Sequence, residues 1–289
     1  MLAKALLAVE ITPPDPFPGL CIERGPEDKG VGYWVPSSKH RLLCEYLNAT
    51  KHAWKKWDNR VLLDPFCGPG RIQVKGETQT REGGTLVACR QMALNNVPFT
   101  HVFTGDIDSD RANACEARLK ASGFPVRSFI GPASETVPRM VDAVRQIRSG
   151  GTLCFAYIDP YNLALLDFEM LKKISTLHVD LTTHFSTMDL RRNVEMEFDA
   201  DRARFDSVAP GCRAAIQVDK LPKSELVGAF FRYWLNQVSG LNFSTAREMP
   251  LIPNDSGHEI YRLVFFARHE LPLRIWADVA RGPQQSFGF

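Results

Sequence analysis

The run Leu62-Leu63-Asp64-Pro65-Phe66-Cys67-Gly68-Pro69-Gly70 reads as the end of a buried strand, closed by an acid and followed at once by a turn with two glycines. Glycine in such a turn lets the backbone approach a nucleotide-like ligand at the carboxyl edge of a parallel sheet. Two ligand classes are disfavoured. A dinucleotide fingerprint wants a third glycine three residues after Gly70, where this chain has Gln73. A phosphate-binding P-loop wants Gly-Lys-Ser/Thr, which is absent. A ligand without a pyrophosphate fits better, which points to S-adenosylmethionine; a tight strand-to-loop turn with no ligand is the plain structural alternative.

The elements that must position this turn follow from periodicity. Arg60–Asp64, His101–Ile107, Val126–Ile130, Thr152–Ile158 and His178–Phe185 are short β-prone runs. Between them, Leu86–Leu94, Arg111–Ala121, Thr136–Arg148 and Phe168–Ser175 carry helical spacing, the third with Val137, Met140, Val141, Val144 and Ile147 on one face. Strands alternating with helices predict an α/β fold built on a mostly parallel sheet with right-handed crossovers. Ser37–Trp57 and Leu226–Leu235 read as further helices, and Phe243–Leu251 with Ile260–Ala267 as a closing antiparallel pair. Residues 1–36, rich in Pro and Gly from 13 onward, read as an irregular arm. Residues 37–289 read as one domain, with a poorly patterned, charged insertion or lid at about 186–222.

Composition narrows the class without naming the chemistry. In 289 residues, 35 Lys+Arg against 33 Asp+Glu give a formal net charge of +2, with 44% hydrophobic and 24% charged residues. That excludes a fibre, a polyelectrolyte tail and a membrane channel, and any nucleic-acid surface must come from local clustering of charge. The seven cysteines are scattered, no two within four residues, which excludes a CxxC knuckle or an iron–sulfur loop and fits reduced thiols in a cytoplasm. No stretch reads as a membrane span, and no spacing of the seven histidines assembles a metal site.

The Asp64–Gly70 run closely resembles the first motif of class I S-adenosylmethionine-dependent methyltransferases, particularly the amino-methylating ones. A wider set resembles the three-Cys-motif partner (TcmP) family: Trp34 with Lys39, the Asp64–Gly70 loop, Gly83–Leu86, Asp106-Ile107-Asp108, Ile158-Asp159-Pro160-Tyr161 and Met188–Asn193. It covers roughly residues 30 to 195, and Tyr261–Arg268 looks like the family's closing strand. The resemblance implies a Rossmann-like class I methyltransferase fold, a seven-stranded sheet with helices on both faces and an antiparallel edge hairpin. It implies that Asp64, Pro65, Phe66, Cys67, Gly68 and Gly70 cradle S-adenosylmethionine, with Lys39 near the cofactor carboxylate. Asp106 would accept hydrogen bonds from the ribose hydroxyls, and Ile107 would lie against the adenine. The polar residue expected after the third strand is replaced by Pro132, leaving Ser134 or a backbone group for the adenine contact; Ser134 reads equally as a helix N-cap, and Asp108 as the cap of the helix near Arg111.

In nucleic-acid amino-methyltransferases the motif comparable to Asp159-Pro160-Tyr161 accepts hydrogen bonds from the target amino group and stacks an aromatic ring on a flipped base. Here one proline is missing and Tyr161 comes a place early; the alternative is that Asp159 and Pro160 only end the strand. His184 ends the fifth run, as a candidate base or a structural histidine. Lys51, Lys55, Lys56 and Arg60, and Arg191, Arg192, Arg202 and Arg204, would track RNA or DNA phosphates or form solvated faces. The leading expectation is a methyltransferase acting on an amino group of a nucleic acid, beside a separate three-cysteine radical protein implied by the family. A non-catalytic module binding a partner protein or nucleic acid is the alternative; an oxidoreductase is disfavoured by Gln73.

Overall fold

The computed structural model describes residues 6–197, 205–217 and 220–282. The β-prone runs form strands because their Val, Leu, Ile and Phe side chains fill both faces of a sheet covered by helices. All eight residues of the strand Val179–Ser186 are buried, as are six of the seven in Thr152–Ile158.

A helix α1 (Arg41–Trp54) leads into β1 (Asn59–Asp64). A small hairpin, β2 (Arg71–Ile72) and β3 (Arg81–Glu82), comes before α2 (Gly84–Leu94). Then β4 (His101–Asp106), α3 (Ser109–Ala121), β5 (Val126–Ile130), α4 (Ala133–Arg145), β6 (Thr152–Ile158), α5 (Phe168–Ile174) and β7 (Val179–Ser186) alternate. The chain continues through α6 (Thr187–Glu197), α7 (Cys212–Ala215), α8 (Lys223–Ser239), β8 (Ser244–Thr245), β9 (Leu251–Pro253), β10 (Glu259–Ala267) and α9 (Glu270–Arg281). The main sheet runs β5-β4-β1-β6-β7-β10-β8, with β9 also paired to β10. The pairs from β5 to β7 are parallel and β10 is antiparallel to β7. Omitting β9, this is the strand order 3-2-1-4-5-7-6 of the class I methyltransferase fold. The order reverses between β1 and β6, which places a ligand crevice outside their carboxyl ends.

Helices α1, α2, α3 and α9 cover one face of the sheet, and α4, α5 and α8 the other. In α4, Val137, Met140, Val141 and Val144 face the core as the spacing predicts. Two features differ from expectation. The stretch 243–251 is not one strand but two fragments, because the chain leaves β10 after Ala246 and rejoins it only through the Pro250 carbonyl and β9. Pro250 has no N–H to continue the ladder. The sheet therefore has eight strands among the described residues rather than seven. The second difference is α9, an added helix that buries Trp276.

In the described part of 186–222, Phe205, Val208, Ala209 and Cys212 pack into the core beside Phe230. Arg202 and Arg204 lie outside the described residues. No helix among the described residues is long and apolar enough to cross a membrane.

The arm is fastened to the body by hydrogen bonds. Glu23 and Val31 bridge to the backbone around β2, with the Glu23 N–H donating to the Arg71 carbonyl at 2.8 Å and the Val31 N–H to that of Gln73 at 2.8 Å. Arg118 of α3, fully buried, grips Asp15 with two N–H groups at 3.0 and 2.8 Å and donates to the carbonyls of Cys21 at 2.8 Å and Pro69 at 2.7 Å. One side chain thus joins the arm to the Asp64–Gly70 loop. Removing one partner of a buried ion pair leaves the other uncompensated. Arg118→Met is expected to lower unfolding free energy by about 3–5 kcal/mol in chemical denaturation. It should also open residues 13–23 to limited proteolysis; an unchanged denaturation midpoint would show that the clamp contributes nothing.

Candidate functional site

Three adjacent strands, β4, β1 and β6, deliver three acids to one edge. Asp64 ends β1 and is buried; one oxygen accepts the Thr85 hydroxyl at 2.6 Å and the other the Phe66 N–H at 3.1 Å. Burial pushes its carboxyl up to about 7 against the lowering effect of those bonds, and Asp159 and Asp106 add to the rise. The following loop is stitched to β4 through the Cys67 N–H, which donates to the Gly105 carbonyl at 2.9 Å. Gly68 (φ 57°) and Gly70 (φ 77°) occupy left-handed backbone, and a Cβ on Gly70 would lie 2.7 Å from Leu86 Cδ1. Pro65 and Cys67 are buried and Phe66 is half-buried in the same turn.

Asp106 ends β4. Its Oδ2 accepts the Gly68 N–H at 3.1 Å and its Oδ1 the Asp108 N–H at 2.9 Å. Arg111 approaches Oδ2 to 3.6 Å while donating to Glu23 of the arm at 2.6 Å. Asp108 caps α3, accepting the N–H groups of Asp110 and Arg111 at 2.8 and 3.2 Å. Beside this acid, Ile107 is 72% exposed and Ile130, at the end of β5, 47%. Ser134 is exposed in the first turn of α4, and the N-cap position belongs to Pro132 instead. With no side-chain acceptor, Pro132 makes no capping bond.

Asp159 follows β6 and forms the densest polar cluster of the edge. One carboxylate oxygen is ion-paired with Lys39, and the other lies 3.3 Å from His184 Nδ1. Lys39 is not a solvated surface lysine. A π-helical turn, Val35–His40, precedes α1, and its wider winding turns the consecutive residues Lys39 and His40 both inward. The Lys39 ammonium also lies 5.9 Å from the Trp34 ring and 5.6 Å from that of Tyr261. Burial works against charge on Asp159, but Lys39 and His184 hold its carboxyl below the usual range.

His184 ends up beside Asp159 although 25 residues separate them in sequence, because β6 and β7 are neighbours. Burial pushes its imidazole down to about 4 and that of His40 down to about 3, so both are neutral at pH 7. The two atoms near His184 Nδ1, the Ile158 carbonyl at 3.2 Å and Asp159 Oδ1, only accept. The proton therefore sits on Nδ1, and His184 is a donor to Asp159 rather than a base at neutral pH. Pro160 is buried, whereas Tyr161 is 77% exposed beside Asp159.

The basic residues divide. Arg191 and Arg192 are exposed on α6, directly after the carboxyl end of β7, and Arg191 pairs with Glu259 at 2.7 Å. Lys51, Lys55, Lys56 and Arg60 lie at the opposite, amino edge, because α1 runs away from Lys39 before β1 begins. The Arg60 guanidinium there serves the carbonyls of Trp57 and Pro98. That run cannot follow a ligand at the acidic edge. Sequence reasoning missed Thr85, Arg111, Arg118 and Glu23, whose partners are set by distant register; only the arm's Pro-rich anchoring hinted at a fixed segment.

No known protein family matches the chain, and no curated protein is similar to it. Among solved structures, it is similar to cofactor-bound Rv0187 from MTB, 12% identical with 81% of each chain covered and a TM-score of 0.42. It is also similar to an O-methyltransferase from Bacillus cereus in complex with SAH, at 11% identity, 79% and 80% coverage and a TM-score of 0.41. An rRNA methylase from Streptococcus thermophilus gives 12% identity, 79% and 93% coverage and a TM-score of 0.36. The strand order, not these alignments, assigns the fold.

The raised pKa of Asp64 makes a testable statement about stability. Folded Asp64 keeps its proton up to about pH 7, whereas the unfolded chain loses it near 3.8, so its contribution is full below about pH 4 and is lost as pH rises through 7. Asp64→Asn removes that loss. The melting temperature of the variant minus that of wild type should therefore rise between pH 5 and pH 8; a difference independent of pH would mean that Asp64 is ionised in the fold.

Proposed function

We propose that this chain transfers a methyl group from S-adenosylmethionine to an amino group, with a nucleic acid as the acceptor-bearing molecule. The observation that carries the reading is the convergence of the Asp64–Gly70 loop, Asp106 and Asp159 on the edge where the strand order reverses. The edge fits the cofactor: the left-handed glycines Gly68 and Gly70 carry no side chain of their own, Asp106 keeps 12% of its side chain open at the margin, and Ile107 and Ile130 leave apolar surface beside it. Bound there, the cofactor supplies an electrophilic methyl on a sulfonium. Asp106, oriented by the Gly68 N–H, would hold the ribose side, and Asp159 with the Pro160 region would orient the acceptor amine. Asp159 would accept hydrogen bonds from an acceptor amine and so turn its lone pair toward the cofactor side of the edge. Alignment supplies most of the rate in a methyl transfer.

Exposed Tyr161 offers a ring for stacking, and Arg191 and Arg192 flank the edge as phosphate ligands. The TcmP resemblance, with its three-cysteine radical partner, is supported by Trp34, Lys39 and Asp189 gathering at this same edge; Asp189 accepts the Leu163 N–H at 2.8 Å just past Tyr161. One observation favours a non-catalytic binding module instead: both Asp159 oxygens already have internal partners.

Gly68→Leu would place a side chain in left-handed backbone against Arg111. It is expected to abolish calorimetric binding of S-adenosylhomocysteine while the melt stays cooperative; undiminished binding would remove the cofactor assignment. For the acceptor, binding of RNA and DNA oligonucleotides is measured across a salt series. Arg191→Ala with Arg192→Ala should flatten the slope of log K against log salt by roughly 0.7 to 0.9 for each phosphate no longer neutralised, and weaken all sequences alike. Absence of affinity even at low salt would point to a protein or small-molecule acceptor.

A further inference from the structure

We infer that Lys39 sets the charge rule of the transfer position: by cancelling Asp159, it reserves that position for a neutral amine and turns away a protonated alkylamine. The inference rests on the methyltransferase reading above and adds a specificity-determining residue to it.

An acid at the end of β6, taken alone, would be a cation site. Asp159 is ionised, keeps 22% of its side-chain surface open, and has the rings of Trp34 and Tyr261 close by, a setting that attracts ammonium groups. The chain fills that setting with its own cation. Of the groups around the pair, His184 and His40 carry no charge and Tyr157 and Tyr261 are held protonated by burial, while Asp64, raised to about 7, is partly ionised at neutral pH and Arg81, Asp189 and Asp106 act on the surrounding groups electrostatically. In direct contact at the transfer position, the pair is one ammonium and one carboxylate.

A neutral amino group on a heteroaromatic ring meets no net charge there and needs no proton removed before it reacts. A lysine-like amine, with an ordinary pKa of about 10.4, would arrive protonated beside the Lys39 ammonium and would have to shed its proton in that company. Lys39 and His184 Nδ1–H each occupy one Asp159 oxygen, and the lone pairs left over can accept from an uncharged NH2 group.

The rule is measurable without the acceptor. S-adenosylhomocysteine is uncharged at sulfur, whereas sinefungin, which has the same adenosine and amino-acid ends, carries a protonated amine where the methyl is transferred. Their affinities for the full chain are compared by calorimetry. Wild type is expected to favour S-adenosylhomocysteine. Lys39→Met should move the ratio toward sinefungin by about tenfold or more, and Lys39→Arg should keep the wild-type ratio. Asp159→Asn, which leaves Lys39 unopposed, should move the ratio the other way and reports even if Lys39→Met fails to fold. A purely structural role would change both affinities together and leave the ratio in place. A ratio that is the same in wild type, Lys39→Met and Asp159→Asn would overturn the inference while leaving the cofactor assignment standing. Failure of wild type to bind S-adenosylhomocysteine at all would overturn both.

Discussion

Three carboxyl groups must share one poorly solvated edge, and the rest of the molecule is arranged around that constraint. Asp106, Asp64 and Asp159 belong to adjacent strands about 4.8 Å apart, and three bare negative charges at such spacing would repel strongly where water is scarce. Each acid is accommodated differently. Asp64, the most central, is raised toward its protonated form and bonded to Thr85 and a backbone N–H. Asp106 stays at the margin, bonded to two backbone N–H groups with Arg111 nearby. Asp159 keeps its charge by recruiting a lysine and a histidine from outside its own strand.

Those recruits explain otherwise arbitrary parts of the architecture. The π-helical turn delivers Lys39, the neighbouring strand delivers His184, and β10 delivers Tyr261 against the ammonium. On the other side, α3 carries Arg111 and Arg118 seven residues apart, two turns along one helix and so on one face. The first lies beside Asp106 while pairing with Glu23 of the arm and the second clamps Asp15, so the irregular amino-terminal segment is part of the frame of the edge.

Much of this was legible in the sequence, for identifiable reasons. The five parallel strands and the helices between them are local patterns of apolar period; the strands appear within one residue of the expected limits and the helices within two, except α4, which begins and ends three residues earlier than Thr136–Arg148. The Asp64–Gly70 turn was legible because it needs glycines at fixed offsets. What could not be read depends on register between distant segments. Nothing near Lys39 announces Asp159, and nothing in α3 announces Asp15. The Phe243–Leu251 run resembles one strand because it is short, has β-prone residues at its start and precedes a turn; Pro250 and the Trp276 N–H, which donates to the Glu248 carbonyl at 2.9 Å, divide it. The lysines before β1 are well placed in sequence, but the direction of α1 carries them to the far edge.

The π-helical turn has a consequence for how this chain tolerates change. Relative to an α-helix, such a turn holds one extra residue, and deleting any residue from 35–40 would let α1 continue in regular register. The wide winding that turns Lys39 and His40 inward together would then be lost, while the segment upstream would keep its place. Trp34 would keep the Tyr261 ring and Val31 its bridge to Val74, but Lys39 would turn off the acid it neutralises. The turns at Gly150 and Gly257 carry no such dependence. Length variation among descendants of this sequence should accumulate in those turns, while the spacing from Trp34 to Lys39 stays fixed at five even where the intervening residues drift.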